Sequence, residues 1–333
     1  MTRPRHTSAR HTLARRRFLH LAAAALALPA IPRVARAQAW PARPVHLIVM
    51  FPPGNAPDII GRLAGQSLSE KLGQQFVIEN RPGAGGNLAT EYVAASAPDG
   101  YTVLLSVSSN TVNQALGRYA KIDFTRDLVP VAGIGKTPYV LVTPASFPAR
   151  TLPAFIAHLK ANPGKVDMAS SGPGSGPHIA GELLQLMSGT RMQHIPYKGS
   201  YMPDIISGQV QALFAPIAQA LALIREGKLR ALGVTYAQRS TALPDVPAIG
   251  EVVTGYETFG WYGLSVPAKT PPAIVKRLGD AMLQGLADPA MAPRLSKMGV
   301  DPMTMTADVF AKHIAEEVEK WSKVIKAQGI QVN

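Results

Sequence analysis

Short apolar runs with strand character alternate with longer segments of helical periodicity along most of this chain. The first unit is an apolar strand at 45–51, a polar loop at 52–58 and a helix in which Leu63, Leu68 and Leu72 recur at helical spacing. Alternation of this kind builds successive βαβ units, which place neighbouring strands parallel. The pattern therefore predicts an α/β fold with a parallel sheet.

The same alternation continues to the end of the chain. A polar loop at 108–110 follows the third strand, and in the last helix an apolar stripe opposite a mixed-charge face predicts docking on a core. The other predicted strands lie at 75–79, 101–107, 139–143, 166–170, 211–214, 230–234 and 263–266, and the other helices at 87–95, 152–161, 177–187, 217–225, 271–286 and 306–327.

The N-terminal segment has the pattern of an export signal. Arg15, Arg16 and Arg17 precede an apolar run at 21–28, and the small residues of Ala35-Arg36-Ala37 form a cleavage site. The order Arg-Arg-x-Phe-Leu is the twin-arginine form, although general secretory export stays open. We expect a signal peptide at 1–37, cleaved near Ala37, and a protein that works in the periplasm.

Removing this segment changes the charge balance. The chain has 34 Lys and Arg against 21 Asp and Glu, but eight of the basic residues lie before residue 38, which leaves a net charge of +5. A protein so mildly basic suits a small anion rather than nucleic acid. The absence of cysteine excludes disulfides, thiolate zinc sites and a cysteine nucleophile. The length favours two domains.

Candidate chemistry lies in two loops that lead from strands into helices, where free backbone N–H groups and the helix dipole favour an anion. In the first loop, Gly54, Pro57 and Asp58 have the residue types of a close backbone approach, a first helical turn and a cap. The second, at 170–178, offers hydroxyls and glycines. Each alone is an ordinary turn or a ligand cradle. Two of them in separate halves favour a cleft that holds one anion.

Catalytic and cofactor motifs are incomplete. Ser175 has Pro173 where a nucleophile elbow requires glycine, and 135–137 resembles the end of a phosphate loop but has Pro130 in place of its glycine. The glycines at 83–86 do not complete a dinucleotide fingerprint, and the histidines lack metal-ligand spacing. We therefore predict no catalytic residue, no metal and no cofactor. An enzyme that uses Ser175 and His178 remains an alternative.

Seven short segments carry a resemblance that covers nearly the whole chain after residue 38. The chain resembles the Bug-type periplasmic solute-binding proteins, the extracytoplasmic components of tripartite tricarboxylate transporters. The matching segments are 40–45, 77–87, 97–102, 194–199, 208–211, 227–232 and 242–247.

The resemblance implies a two-lobed periplasmic binding protein fold, type II-like, with a ligand cleft between the lobes. It places lobe 1 at 38–138 and 263–333, with the terminal helices docked on it, and lobe 2 at 139–262. It also implies a small carboxylate ligand, captured by lobe closure for uptake, with permease subunits as partners. We expect a monomer that binds no nucleic acid. A ligand sensor feeding a membrane signalling system is the alternative that the sequence leaves open.

Two departures from the family pattern bear on the ligand. Asn55 replaces the second glycine of the first loop and adds an amide. Ala215 follows Phe214 where many relatives carry aspartate, which removes a partner for a ligand ammonium group, unless Ala215 simply packs. The residues predicted to line the site are Phe51, Pro53, Gly54, Asn55, Ala56, Pro57, Asp58, Ser106, Ser108, Asn110, Ser171, Gly172, Ser175, His178, Tyr197, Phe214 and Ala215.

Overall fold

The computed structural model describes residues 40–119, 121–197, 199–240 and 242–328. The predicted export signal at 1–37 lies outside these ranges. The described residues form eleven strands, which make up two sheets, and eleven α-helices, and this arrangement confirms the α/β fold. Within them, no helix has both the length and the apolar composition needed to cross a membrane.

The first sheet contains six strands and belongs to the first lobe. The strands are β1 (Val45–Val49), β2 (Phe76–Asn80), β3 (Thr102–Val107), β4 (Leu128–Thr137), β10 (Gly260–Pro267) and β11 (Asp301–Met305). Their order is β11-β4-β10-β3-β1-β2. As predicted, β1 is parallel to both β2 and β3. In contrast, β10 is antiparallel to β3 and β4, because the chain returns to this sheet from the second lobe.

Seven helices belong to the segments that form this lobe. The first begins where Asn55 caps it and Pro57 occupies its first turn. The seven are α1 (Ala56–Leu72), α2 (Asn87–Ala94), α3 (Ser108–Ala115), α4 (Phe124–Asp127), α9 (Pro272–Leu286), α10 (Met291–Ser296) and α11 (Ala307–Gln328).

The second sheet contains five strands in the order β7-β6-β8-β5-β9 and belongs to the second lobe. Its parallel pairs are β6 with β7 and β6 with β8. The strands are β5 (Tyr139–Pro144), β6 (Asp167–Ser170), β7 (Gln193–Pro196), β8 (Ala212–Pro216) and β9 (Leu229–Val234), and the helices are α5 (Leu152–Ala161), α6 (Gly176–Ser188), α7 (Met202–Ser207) and α8 (Ile217–Arg225).

Two neighbouring crossings join the lobes. The chain leaves the first sheet after Thr137 and enters the second at Tyr139. The chain stays with the second lobe through Tyr256, which belongs to one of its cores, and returns to the first sheet at Gly260. The two crossings are adjacent, because the Thr258 N–H donates to the Thr235 carbonyl at 2.9 Å and the Thr235 N–H donates to the Tyr139 carbonyl at 3.0 Å. Because β10 begins at Gly260, paired with Thr137, the first sheet resumes three residues before the boundary expected at residue 263.

The last helix packs on both lobes. Near its start, Phe310 and Ile314 join the core of the first sheet, whereas Trp321 and Val324 join a core of the second lobe. Trp321 is 1% exposed, and full burial of such a side chain contributes about 1.5–3 kcal/mol. The helix therefore docks on the first lobe near its start, and it extends beyond the first core to contact the second lobe.

The structure corrects several predicted elements. The polar run at 108–110 is not a loop but the first turn of α3, where the side chain of Asn110, the third helical residue, accepts from the N–H of Val107 just before the helix. The predicted strand at 263–266 is longer, and it spans Gly260–Pro267. The prediction also missed β4, β7, β11, α4, α7 and α10.

Candidate ligand-binding site

The first loop joins β1 to α1 and is organised by the residues that begin the helix. The Asn55 side chain accepts from the Asp58 N–H at 3.2 Å, and the Asp58 carboxylate accepts from the Gly54 N–H at 2.9 Å. These reciprocal bonds form a capping arrangement at the helix start. Pro52, Pro53, Gly54 and Ala56 are exposed, so the tip of the loop is open to solvent.

Asp58 holds this loop together rather than facing solvent, since it is only 2% exposed. Its carboxylate also accepts from Asn80 Nδ2 at 2.9 Å and from Arg62 Nε at 3.0 Å. Burial alone would raise the pKa of Asp58, but the hydrogen bonds from Arg62, Gly54 and Asn80 outweigh it and hold the pKa below its ordinary value. Because Asn80 also donates to the Phe51 carbonyl, both ends of the loop are fixed.

The second loop joins β6 to α6 and is closed by bonds within itself. The Gly172 N–H donates to Ser170 Oγ at 3.0 Å, and the Ser175 N–H donates to the Gly172 carbonyl at 3.1 Å. The Gly174 N–H donates to His178 Nδ1 at 3.1 Å. Ser171 is exposed, whereas the preceding Ser170 is buried. The loop is therefore preformed, with one hydroxyl at its surface.

Ser175 occupies the cap position of α6 without capping it. Its side chain makes no capping bond, and its Oγ is buried with no hydrogen-bond partner among the described residues. The start of α6 therefore lacks the side-chain acceptor that satisfies most helix starts.

His178 stacks on His194, with ring centroids 3.9 Å apart and planes inclined by 28°. Burial, together with the nearby His194 and the positive charge of Arg118, lowers the pKa of His178 to about 3, and burial lowers the pKa of His194 to about 4. Since His178 Nδ1 accepts from Gly174, the proton lies on Nε2, 3.5 Å from Glu182 Oε1. Neither histidine nitrogen is placed to take a proton from Ser175.

Three residues predicted to line the site lie near the end of β3, and they are mostly buried within the protein. Ser106 is fully buried and donates to Ser265 Oγ at 2.8 Å. Asn110 accepts from the Val107 N–H and donates to Thr90 Oγ1 and the Tyr119 hydroxyl, each of the latter at 3.0 Å. Ser108 begins α3 and is 8% exposed. Of the three, Ser108 retains some surface, and the other two support the helix and sheet.

Three further predicted positions lie in the second lobe. Tyr197 follows β7, and its hydroxyl donates to Asp204 Oδ2 at 2.7 Å. Phe214 and Ala215 are both completely buried, in two different apolar clusters of the lobe. Ala215 therefore packs in the interior, which was the second of the two interpretations given above. Its position does not bear on whether the ligand carries an ammonium group.

The two lobes meet beside the second loop. Arg118, which follows α3, donates from Nη1 to the Pro173 carbonyl at 3.0 Å. No hydrogen bond between the first and second loops is found in the part of the chain that the structure describes. Sequence reasoning missed Arg118 and Asn80. A signal existed for Asn80, which directly follows a predicted strand, but none existed for Arg118.

One cavity of the first lobe lies away from both loops. A cavity of about 580 Å³ lies between β4, α9 and the start of α11, but its lining is mostly apolar and includes neither loop. Across the described ranges, no three His, Asp or Glu side chains are grouped to hold a metal ion.

Two α/β lobes joined by paired crossings, each with a loop that leads from a strand into a helix, form the fold of the periplasmic binding proteins. The family model described as "Tripartite tricarboxylate transporter family receptor" matches residues 59–330. This chain belongs to that family.

The relatives agree with this assignment. Protein BugT of Bordetella pertussis is 38% identical over 303 residues, which cover 89% of this chain and 92% of BugT. The structure of Rpa4515 from R. palustris with adipate is 33% identical, with a TM-score of 0.77 over 88% of this chain and 99% of that one. MatC from Rhodopseudomonas palustris with bound malate is 29% identical, with a TM-score of 0.76 over 86% and 100% of the two chains.

Proposed function

We propose that this protein captures a small carboxylate between its two lobes in the periplasm, as a monomer, and delivers it to the permease subunits of a tripartite tricarboxylate transporter. One observation carries the proposal: each lobe contributes a preformed loop at a helix start. The Asp58 carboxylate accepts a hydrogen bond from a backbone N–H of the first loop, and the His178 ring accepts one from a backbone N–H of the second loop. What such loops offer a ligand is backbone N–H groups and the helix dipole, which favour an anion.

The ligands of two relatives support a carboxylate. Adipate and malate are both carboxylic acid anions, and the structures that carry them align with more than four fifths of this chain. The chain's own features agree, because the exposed tip of the first loop, with Gly54 and the amide of Asn55, has no acidic group directed at solvent. The one carboxylate of the loop, on Asp58, is neutralised by Arg62.

Lobe closure is the proposed route to binding. The lobes are joined by the two adjacent crossings at residues 137–139 and 256–260, which is the arrangement of a hinge. A ligand that contacts both loops gains all of its contacts only in the closed state, so binding shifts the population toward closure.

Binding without covalent chemistry is proposed because the serine and histidine of the second loop do not form a nucleophile and base. His178 Nδ1 is occupied by Gly174, and Nε2 faces Glu182. A general base must be within hydrogen-bond reach of the proton that it removes.

The test is direct. Mass spectrometry of small molecules released from the denatured, freshly purified protein should detect a carboxylic acid, and calorimetry against mono-, di- and tricarboxylates should find at least one that binds. A protein that binds none of them, yet hydrolyses esters with a rate that Ser175→Ala removes, would establish the enzyme alternative instead.

A further inference from the structure

Tyr139 is the first residue of the second sheet and lies directly after the first crossing. Its backbone is bound to the segment that precedes the second crossing. The Tyr139 N–H donates to Thr235 Oγ1 at 2.9 Å, and the Tyr139 carbonyl accepts from the Thr235 N–H at 3.0 Å. Because the Thr235 carbonyl accepts from the Thr258 N–H within the second crossing, Tyr139 is fixed to both crossings at once.

The hydroxyl of Tyr139 occupies the space between two glycines that belong to different lobes. A Cβ added to Gly260, where β10 resumes the first sheet, would lie 2.7 Å from the Tyr139 oxygen. A Cβ added to Gly176, where α6 begins, would collide with the same oxygen. Neither glycine has a positive φ, so the backbone conformation requires glycine at neither position. Each position instead lacks a side chain where the hydroxyl lies.

The ring of Tyr139 is buried in an apolar cluster to which both lobes contribute. The side chain is 7% exposed and packs in the same cluster as Val112 of α3 and Trp321 of α11. Leu183 of α6 joins this cluster from the second lobe. Burial also raises the pKa of Tyr139 far above its ordinary value, so the hydroxyl stays neutral. Movement of the ring would disturb packing in both lobes.

This arrangement makes the hydroxyl a spacer between the lobes. Gly176 lies within the second loop, and Gly260 lies at the end of a strand of the first sheet. Since both glycines lie against one hydroxyl, the second loop cannot come closer to the first sheet without displacing it. Close-packed interiors accommodate an added group only by moving its neighbours, and here the neighbours belong to opposite lobes.

We propose that Tyr139 is a positioning residue for ligand binding, and that its hydroxyl sets how closely the second loop approaches the first sheet when the lobes close. The inference rests on the proposed function, because it requires a ligand that contacts the loops of both lobes. Tyr139 acts through Gly176 and Gly260, one on each lobe, and needs no contact with the ligand.

The first test adds a methyl group on the first-lobe side of the spacer. Gly260→Ala should lower the affinity for a bound acid about tenfold, because the methyl pushes the hydroxyl toward Gly176 and prevents full closure. Calorimetry with malate, succinate and adipate measures the affinity. Gly65→Ala is the matched control, since its added Cβ would lie 2.8 Å from Ile78 Cδ1 within the first lobe alone, and it should leave the affinity unchanged.

The second test removes the spacer. Tyr139→Phe deletes the hydroxyl oxygen and keeps the buried ring, so the methyl of Gly260→Ala gains room. The next atoms from the Cβ added at Gly260 are Thr137 Cγ2 at 3.0 Å and Tyr139 Cζ at 3.4 Å. The affinity of the double variant should therefore recover to within about threefold of that of Tyr139→Phe alone.

Lobe position is measured separately from affinity. The chain has no cysteine, so cysteines introduced in place of the exposed Lys71 of α1 and Lys160 of α5 carry spin labels selectively, one in each lobe. At saturating acid, Gly260→Ala should give a label distance different from that of the labelled parent, and addition of Tyr139→Phe should reverse the change. Gly65→Ala should keep the parent distance.

A Gly260→Ala protein that loses stability but keeps the parent affinity and label distance would show that Tyr139 only packs, and would overturn the inference. If Gly260→Ala does not fold, Tyr139→Phe decides, because loss of the spacer should change the label distance at saturating acid and an unchanged distance would overturn the inference. Either outcome leaves acid binding by the wild-type protein, and with it the proposed function, intact. Binding of no carboxylic acid by the wild-type protein would overturn both.

Discussion

The carboxylate of Asp58 accepts a hydrogen bond from the Gly54 N–H at 2.9 Å, four residues back along the chain. Because the same buried carboxylate accepts from Asn80 and Arg62, one side chain joins the first loop to β2 and to α1. The loop is therefore a rigid part of the first lobe. Its shape depends on a residue whose oxygen atoms are used within the protein.

Asp58→Ala should lower the free energy of unfolding by about 2–4 kcal/mol, because it leaves buried donors without an acceptor. It should also weaken ligand binding, since the turn at Gly54 loses its closing bond. Urea denaturation and calorimetry measure the two effects. Asp99→Asn is the control: its pair with Arg43 is exposed, and such pairs contribute about 0–1 kcal/mol. Equal effects of the two changes would refute the role given to Asp58.

Gly54 has a φ of +85°, and no atom lies within 4 Å of a Cβ added there. Gly54→Val therefore meets no steric clash, but it forces a β-branched residue into a left-handed backbone, at about 1–3 kcal/mol. We expect the loop to change its conformation and binding to be abolished.

Gly73 provides the matched control at the other end of α1. It has a φ of +70°, and its added Cβ also has open space. Gly73→Val should reduce thermal stability by a similar amount and leave ligand affinity unchanged. Unchanged binding in Gly54→Val would argue that the first loop does not contact the ligand.

The sequence predicted the two loops because strand, glycine and cap residues follow one another locally, and the local order determines where a helix begins. It did not predict which polar side chains stay free. Ser106 lies one residue before the end of β3 and Asn110 three residues after it, close to a strand end as ligand-binding residues often are. Their hydrogen bonds go instead to Ser265 and Thr90, which lie elsewhere in the chain. Such partners are decided by tertiary packing, which no local pattern records.

The same limit applies to side-chain direction. Ala215 and Phe214 lie on a strand whose two faces are both buried, so alternation cannot separate a core face from a cleft face. Arg118 was missed because its contact with Pro173 spans 55 positions and two lobes. The expected fold was confirmed for a different reason, since alternating strands and helices leave few ways to build a sheet.

His178 and His194 should make stability depend on pH. Their folded pKa values of about 3 and about 4 lie below the ordinary value of 6.5, so the unfolded chain takes up protons that the folded one does not. Stability should therefore be fully present above about pH 6.5 and fall as the pH drops toward about 4, with a slope of up to about 1.4 kcal/mol per pH unit for each histidine. Burial lowers the pKa of His178 most, followed by His194 and Arg118, and Glu182 Oε1 lies 3.5 Å from its Nε2.

His178→Gln should reduce the slope of the unfolding free energy against pH by the contribution of one histidine. The double change with His194→Gln should reduce it by the contribution of two. Urea denaturation of each variant between about pH 7 and about pH 4 gives the slopes. If His178→Gln retains the wild-type slope, the imidazole accepts a proton in the folded protein and the stacked pair is not held neutral.

Closure of the lobes predicts coupling between the two loops. Asn55 lies in the first loop and the exposed Ser171 in the second. If the ligand contacts both residues, removing either contact destabilises the closed state of the protein. Asn55→Ala and Ser171→Ala should each lower the affinity for the tightest-binding acid about tenfold to a hundredfold, because each removes a hydrogen bond to a charged group. Asn55→Ala should also cost about 1 kcal/mol of stability, since it removes the cap of α1.

The double variant separates closure from two independent contacts. Independent contacts give additive losses of binding free energy, whereas loops that act through one closed state give a loss that departs from the sum. X-ray scattering supplies the geometric test, because saturation with ligand should reduce the radius of gyration of the wild-type protein, and the double variant should show a smaller reduction at the same concentration. Additive losses together with an unchanged radius would mean that the ligand enters a rigid pocket, and that the paired crossings after Thr137 and Tyr256 are not a hinge.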